Sequence, residues 1–63
     1  MRRADRLFQI VQILRRDRIT TAARIAREVG VAERTVYRDV RDLSASGIPV
    51  ESEAGVGYRL PRH

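Results

Sequence analysis

Hydrophobic side chains near the N-terminus recur at the spacing of an amphipathic helix. In RADRLFQIVQILRR, Leu7, Val11 and Leu14 fall at i, i+4 and i+7, which places them on one helix face. Three further apolar residues are expected to widen this stripe: Phe8, Ile10 and Ile13. The pattern predicts a first helix over about residues 3–16.

Two further helical stretches follow, with a glycine between them. Thr21 is placed to cap the first, AARIAREV, and Gly30 is placed to end it in the left-handed conformation common at helix C-termini. In the second stretch, Val36, Val40 and Leu43 again fall at i, i+4 and i+7, which predicts a helix over about residues 33–45. Two helices joined by so short a turn form the outline of a helix-turn-helix over about residues 21–45.

Beyond Gly47 the hydrophobic period becomes that of a strand. Ile48 and Val50 precede polar residues, AGVG provides a turn, and Tyr58 and Leu60 resume the alternation, so residues 48–60 are predicted to form a two-stranded hairpin. The predicted fold is mainly α with a small β-hairpin. It is a three-helix winged helix-turn-helix that occupies residues 1–63 as a single domain.

The chain is strongly basic. Thirteen basic residues against eight acidic ones give a net charge of +5 and a pI of about 11.3, a level typical of nucleic-acid-binding domains. All thirteen are arginine, whose planar guanidinium donates paired hydrogen bonds to phosphate or to guanine. A GC-rich genome would explain the missing lysine equally well. The composition therefore favours a polyanionic partner.

No residue pattern supports catalysis or metal binding. The chain has no cysteine, and its one histidine, His63, is the last residue, so its hydroxyl side chains lack the base that activates a nucleophile. The GVG stretch lacks the third glycine of a dinucleotide site. We expect neither an enzyme nor a bound cofactor or metal. No segment has the ~20 apolar residues of a membrane span, so a cytoplasmic protein is expected.

The third predicted helix has a basic face opposite its apolar one. At about 100° per residue, Arg34, Arg38 and Arg41 cluster on the side opposite Val36. Any solvated helix face is usually charged, but this one is centred on arginines alone and belongs to a helix-turn-helix outline in a basic domain. We expect it to enter the major groove of double-stranded DNA.

Two segments carry a resemblance to known families. TTAARIAREVGVAERTVYRDVRDL resembles the helix-turn-helix of the DeoR-type regulators. TVYRD followed by GIPVESEAGVGYRL is similar to the N-terminal domain of bacterial WYL-domain transcriptional regulators. The resemblance extends from about Arg3 to Leu60. The helix-turn-helix alone would also match related winged-helix families, including the N-terminal domain of biotin-operon repressors.

The resemblance implies roles for residues of the recognition helix. Three are expected to contact bases: Arg34, Thr35 and Arg38. Tyr37 and Arg41 are expected on the phosphate backbone. Asp39 lies closer to the core side, and we expect it to pair with a neighbouring arginine instead, because phosphates repel a carboxylate.

The start of the recognition helix departs from the family pattern. Ala32 stands where relatives usually carry a capping serine, and losing such a cap typically costs ~1 kcal/mol. Glu33 is expected to offset part of this cost through the helix dipole. Either the first turn is loosely held until DNA arrives, or its backbone amides at Glu33 are free to meet a phosphate.

Further DNA contacts are expected outside the recognition helix. At the second helix the candidates are Thr21, Ala22 and Arg24, although a cap formed by Thr21 alone is equally plausible. In the hairpin they are Gly57, Tyr58 and Arg59. There the glycine is expected to serve the turn, the tyrosine to be half in the core, and the arginine to contact the backbone or a minor groove. Near the N-terminus, Arg2, Arg3 and Arg6 are candidates for phosphate contacts, with a solvated terminus as the more common arrangement.

The sequence thus predicts a transcriptional regulator, or its DNA-binding module, that binds double-stranded DNA as a homodimer. A small-molecule effector is expected only if a further domain exists, and the chain is either a fragment or a stand-alone protein. The alternatives are a winged helix that docks an acidic protein partner and the N-terminal segment of a bifunctional enzyme such as a biotin ligase. RNA binding is less favoured, because three aromatic residues offer no stacking platform.

Overall fold

The computed structural model describes residues 2–61, so His63 lies outside the described part. Three helices precede one hairpin: α1 (Arg3–Arg16), α2 (Ala22–Val29), α3 (Glu33–Ala45), β1 (Glu51–Glu53) and β2 (Gly57–Arg59). The two strands pair antiparallel, with Ser52 opposite Tyr58. The predicted winged helix-turn-helix is therefore confirmed, with helix bounds at the residues that the hydrophobic pattern indicated.

The core lies where the three helices meet. Ile10, Leu14, Ile25 and Val36 are almost completely buried there. Phe8 was expected to join this stripe, and that prediction is wrong, because its side chain is 66% exposed. At about 100° per residue, Phe8 lies about 160° around α1 from Ile10. It therefore faces away from α2 and α3.

The helix ends follow local rules. Thr21 caps α2, and its Oγ1 accepts a hydrogen bond from the Arg24 N–H at 3.1 Å. Gly30 ends α2 in the left-handed conformation, with φ 74°. Ala32, at the start of α3, makes no side-chain cap. All three predictions are confirmed. Because of the missing cap, the first turn of α3 is held by backbone bonds and packing alone.

The hairpin, which we call the wing (residues 51–59), is shorter than the predicted 48–60. Ile48 and Val50 are half-buried against the core before the strand begins. The structure adds a bridge that the hydrophobic pattern did not indicate: Thr20, between α1 and α2, pairs with Tyr58. The Thr20 N–H donates to the Tyr58 carbonyl at 2.9 Å, and the Tyr58 N–H donates to the Thr20 carbonyl at 2.6 Å. This bridge fastens the wing to the helices.

Candidate nucleic-acid interface

The exposed side of α3 carries the arginines expected there. Arg34, Arg38 and Arg41 are all exposed, and among residues 2–61 none of the three has a carboxylate partner. Tyr37 is half-exposed at their side, and Thr35 is half-buried. The guanidinium groups of Arg34, Arg38 and Arg41 are therefore available to an acceptor from another molecule.

The opposite side of α3 is held by an ion pair as well as by apolar contacts. Asp39 is fully buried, and both its oxygens accept from Arg6 of α1: Nε donates to Oδ2 at 2.6 Å and Nη2 to Oδ1 at 3.1 Å. The expected ion pair is confirmed, although its partner comes from another helix. Arg6 was a candidate for phosphate contact or for a solvated terminus, and in the structure its guanidinium is engaged inside the domain instead. Hydrogen bonding to Asp39 raises the pKa of the Arg6 guanidinium.

A second pair lies one helical turn further along. Arg3 of α1 donates to Asp42 of α3 at an exposed position. Arg3 was also only a candidate for phosphate contact, and in the structure it is bound to this carboxylate. Two of the three acidic side chains of α3 are thus paired with arginines of α1. Arginines of α1 compensate this negative charge on the side of α3 that faces α1, so the outward face of α3 remains positive.

A cleft joins α2, α3 and the wing. Its volume is about 410 Å³, and five of the sequence-predicted residues line it: Thr21, Ala22, Tyr37, Gly57 and Tyr58. The side chain of Ala22 is buried, so this residue can offer a ligand only its backbone. Helix geometry leaves the first N–H groups of α2 without an intrahelical acceptor. The cleft is therefore a place where an anion could meet amides and a phenol together.

Tyr58, one of the two tyrosines of the cleft, has a shifted pKa. Burial raises the pKa of the Tyr58 phenol, and the nearby Tyr37 raises it further. Tyr58 also packs against the core, so the expectation of a half-buried wing tyrosine is confirmed. It remains a neutral hydrogen-bonding group at physiological pH.

A family model described as an HTH domain matches residues 6–59. The chain belongs to this helix-turn-helix (HTH) domain family. No curated protein and no solved structure matches it. The family match covers α1 from residue 6 onwards and the whole of α2, α3 and the wing, and it identifies a DNA-binding HTH domain.

The predicted contact residues Arg24, on α2, and Arg59, on the wing, do not line the cleft. Arg24 is exposed on α2. Hydrogen bonding to Arg16 lowers the pKa of both Asp17 and Glu28, and the charge of Arg24 lowers it further. Arg59 donates to Glu51 across the wing at 3.0 Å. Arg59 would therefore have to exchange this carboxylate for a phosphate if it contacted DNA.

The sequence did not reveal what holds Gly57 in place. It was assigned to turn geometry, but its φ of 143° and its position against Thr20 show a second role. A Cβ there would overlap the Thr20 carbonyl oxygen, so only glycine allows the bridge between Thr20 and Tyr58. The extended pair Ile19 and Thr20 was the one available signal for this bridge.

Other kinds of site find no support in the part of the chain that is described. Residues 2–61 contain no group of three or more side chains that could hold a metal ion. Within the same range, no helix is long and apolar enough to cross a membrane.

Proposed function

We propose that this HTH domain binds double-stranded DNA sequence-specifically, as a transcriptional regulator or as the DNA-binding module of one. The observation that carries the proposal is the unpaired arginine face of α3. In this proposal α3 lies in the major groove, which is about 12 Å wide and admits a helix. Arg34, Thr35 and Arg38 contact base edges, and Arg38 makes a bidentate contact to guanine.

The backbone contacts are proposed to flank α3 on two sides. Arg41 and Tyr37 approach phosphates along the groove. Thr21, as the cap of α2, and the amides of Ala22 and Ala23 meet a phosphate beside the cleft between α2 and the wing. Thr21, Ala22 and Tyr37 line one cleft, and this shared position supports a common anion site there. The uncapped turn at Glu33 and the side chains of Arg24 and Arg59 complete the proposed backbone contacts.

The kind of regulator is a finer proposal. The segments TVYRD and GIPVESEAGVGYRL support a DeoR-type domain of the WYL class. One recognition helix covers only a half-site, so we propose that the protein binds as a homodimer on a two-fold symmetric operator. An effector would act through a further domain.

Salt dependence tests the DNA-binding proposal. If about 4 to 6 phosphates are neutralised, log affinity should fall against log salt concentration with a slope of roughly −3.6 to −5.4. Fluorescence anisotropy with duplexes recovered by selection from random sequences would measure this slope. Recovered sites with two-fold symmetry would support the homodimer. Failure to bind any duplex would favour the docking of an acidic protein partner instead.

The role of Arg38 can be tested against that of Arg41 on the same helix face. Arg38→Ala should cost about 1 to 3 kcal/mol of specific binding and relax the preference at one base pair. Arg41→Ala should weaken binding to every duplex by a similar factor and reduce the salt slope by about 1. An equal loss on all sequences for Arg38→Ala would assign Arg38 to a phosphate.

A further inference from the structure

Two arginine–aspartate pairs join α1 to α3 at matching intervals. Arg3 and Arg6 are one turn apart on α1, and their partners Asp42 and Asp39 are one turn apart on α3. The pairing is reversed along the chain, as expected when the two helices run in roughly opposite directions. The inner pair is the better defined one, because two N–H groups of one guanidinium hold both oxygens of a fully buried carboxylate.

The pairs bridge the more distant helices of the domain. α3 packs most extensively on α2, while α1 and α3 make little direct backbone contact. The apolar side chains of α3 that face inward include the short Val36 and Val40. Apolar burial is non-directional, so these contacts hold α3 on the domain without strictly defining its rotation. A bidentate guanidinium–carboxylate pair has a fixed planar geometry and supplies that definition.

Asp39 follows Arg38 in the chain and lies one turn after Thr35. Any rotation of α3 that displaces the Asp39 carboxylate therefore displaces the outward side chains with it. We propose that Arg6 and Asp39 are positioning residues that fix the orientation of α3, and thereby which base pairs its exposed face meets. This inference rests on the proposed DNA binding, because it assigns the pair to sequence discrimination. Buried ion pairs often add little net stability, and a role in defining one conformation accounts for the pair better.

The first test needs no DNA. The double variant Arg6→Met/Asp39→Leu replaces the pair with apolar side chains, and the control Arg16→Gln/Glu28→Gln removes an exposed pair that joins α1 to α2. In 15N–1H spectra, we expect the first variant to shift and broaden amide signals throughout α3 while α2 retains its spectrum. The control should leave the α3 signals in place. An α3 spectrum unchanged beyond residues adjacent to the substitutions would overturn the inference.

The second test measures discrimination between duplexes. In the double variant, the ratio of Kd values for a scrambled and a selected duplex should fall by about 10-fold or more, the value of one lost bidentate base contact. Affinity for the scrambled duplex should change by less than about 2-fold, since the phosphate contacts remain. Retention of the full ratio, or an equal loss on both duplexes, would contradict a positioning role.

The inference stays testable if the double variant does not fold and also if the wild-type domain does not bind DNA. If the double variant does not fold, the isosteric Asp39→Asn removes the charge and one acceptor while keeping the side-chain shape, and the same α3-confined spectral changes are expected. If the wild-type domain binds no duplex, the proposed function fails, while the spectra still decide whether the pair orients α3.

Discussion

Gly57 lies where the wing meets the segment between α1 and α2, and substitution there should be costly. Gly57→Ala forces both an unfavourable φ of 143° and an overlap with the Thr20 carbonyl, so we expect a loss of stability of about 1 to 3 kcal/mol or more. Gly55 has a positive φ of 78° but open space around it, and Gly55→Ala should cost only about 1 to 2 kcal/mol. Urea denaturation of both variants would show the difference. Equal losses would mean that the contact with Thr20 relaxes freely.

Arg6 and Arg3 should differ sharply in their effects on stability. Arg6→Met leaves the buried Asp39 carboxylate without its partner, and such a change costs about 3 to 5 kcal/mol, comparable to the whole stability of many small domains. Arg3 pairs with Asp42 at a largely exposed position, so Arg3→Met should cost no more than about 1 kcal/mol. Thermal unfolding would measure both values. A mild effect of Arg6→Met would mean that the Asp39 carboxylate finds water or another donor in the variant.

At the scale of single elements, the first turn of α3 offers a stabilising substitution. Ala32 has φ −74° and ψ 155°, close to the extended conformation of Thr21, which does cap its helix. Ala32→Ser should therefore add about 1 kcal/mol of stability, and Thr21→Ala should remove a similar amount. Chemical denaturation tests both. If Ala32→Ser also weakens DNA binding, the uncapped amides of this turn are used by a phosphate.

The bounds of the helices could be predicted from the sequence, whereas the side-chain contacts between helices could not. The spacing of apolar residues, the cap at Thr21 and the glycine at position 30 determine where helices begin and end, and all three are local effects. The exposure of Phe8 and the partner of Asp39 depend on how helices pack, which periodicity does not contain. The equal three-residue spacing of arginines on α1 and aspartates on α3 was a usable signal for the ion pairs. The arginine face of α3 was predicted correctly as exposed, while its DNA contacts stay a prediction.

At the scale of the whole molecule, acid should loosen the junction between α1 and α2. Arg16 donates hydrogen bonds to Asp17 and Glu28, which lowers the pKa of both carboxyl groups. Carboxylates with lowered pKa stabilise the fold at neutral pH, and this contribution is lost as pH falls through their folded-state pKa values, below about pH 4. The melting temperature of Arg16→Gln should therefore approach that of the wild type as the pH is lowered. A constant difference down to pH 2 would rule out this linkage.

The division of α3 into a buried and an exposed side also bears on how such a domain can diversify. Arg38 and Asp39 are chain neighbours, yet one is solvated and the other is enclosed. Exchanging exposed side chains such as Arg34 or Arg38 should change folding stability by only about 0.5 kcal/mol. New operator preferences are thus accessible by substitutions that leave the scaffold intact. Under the proposed function, the side chains of the exposed face can change while those of the buried face stay the same.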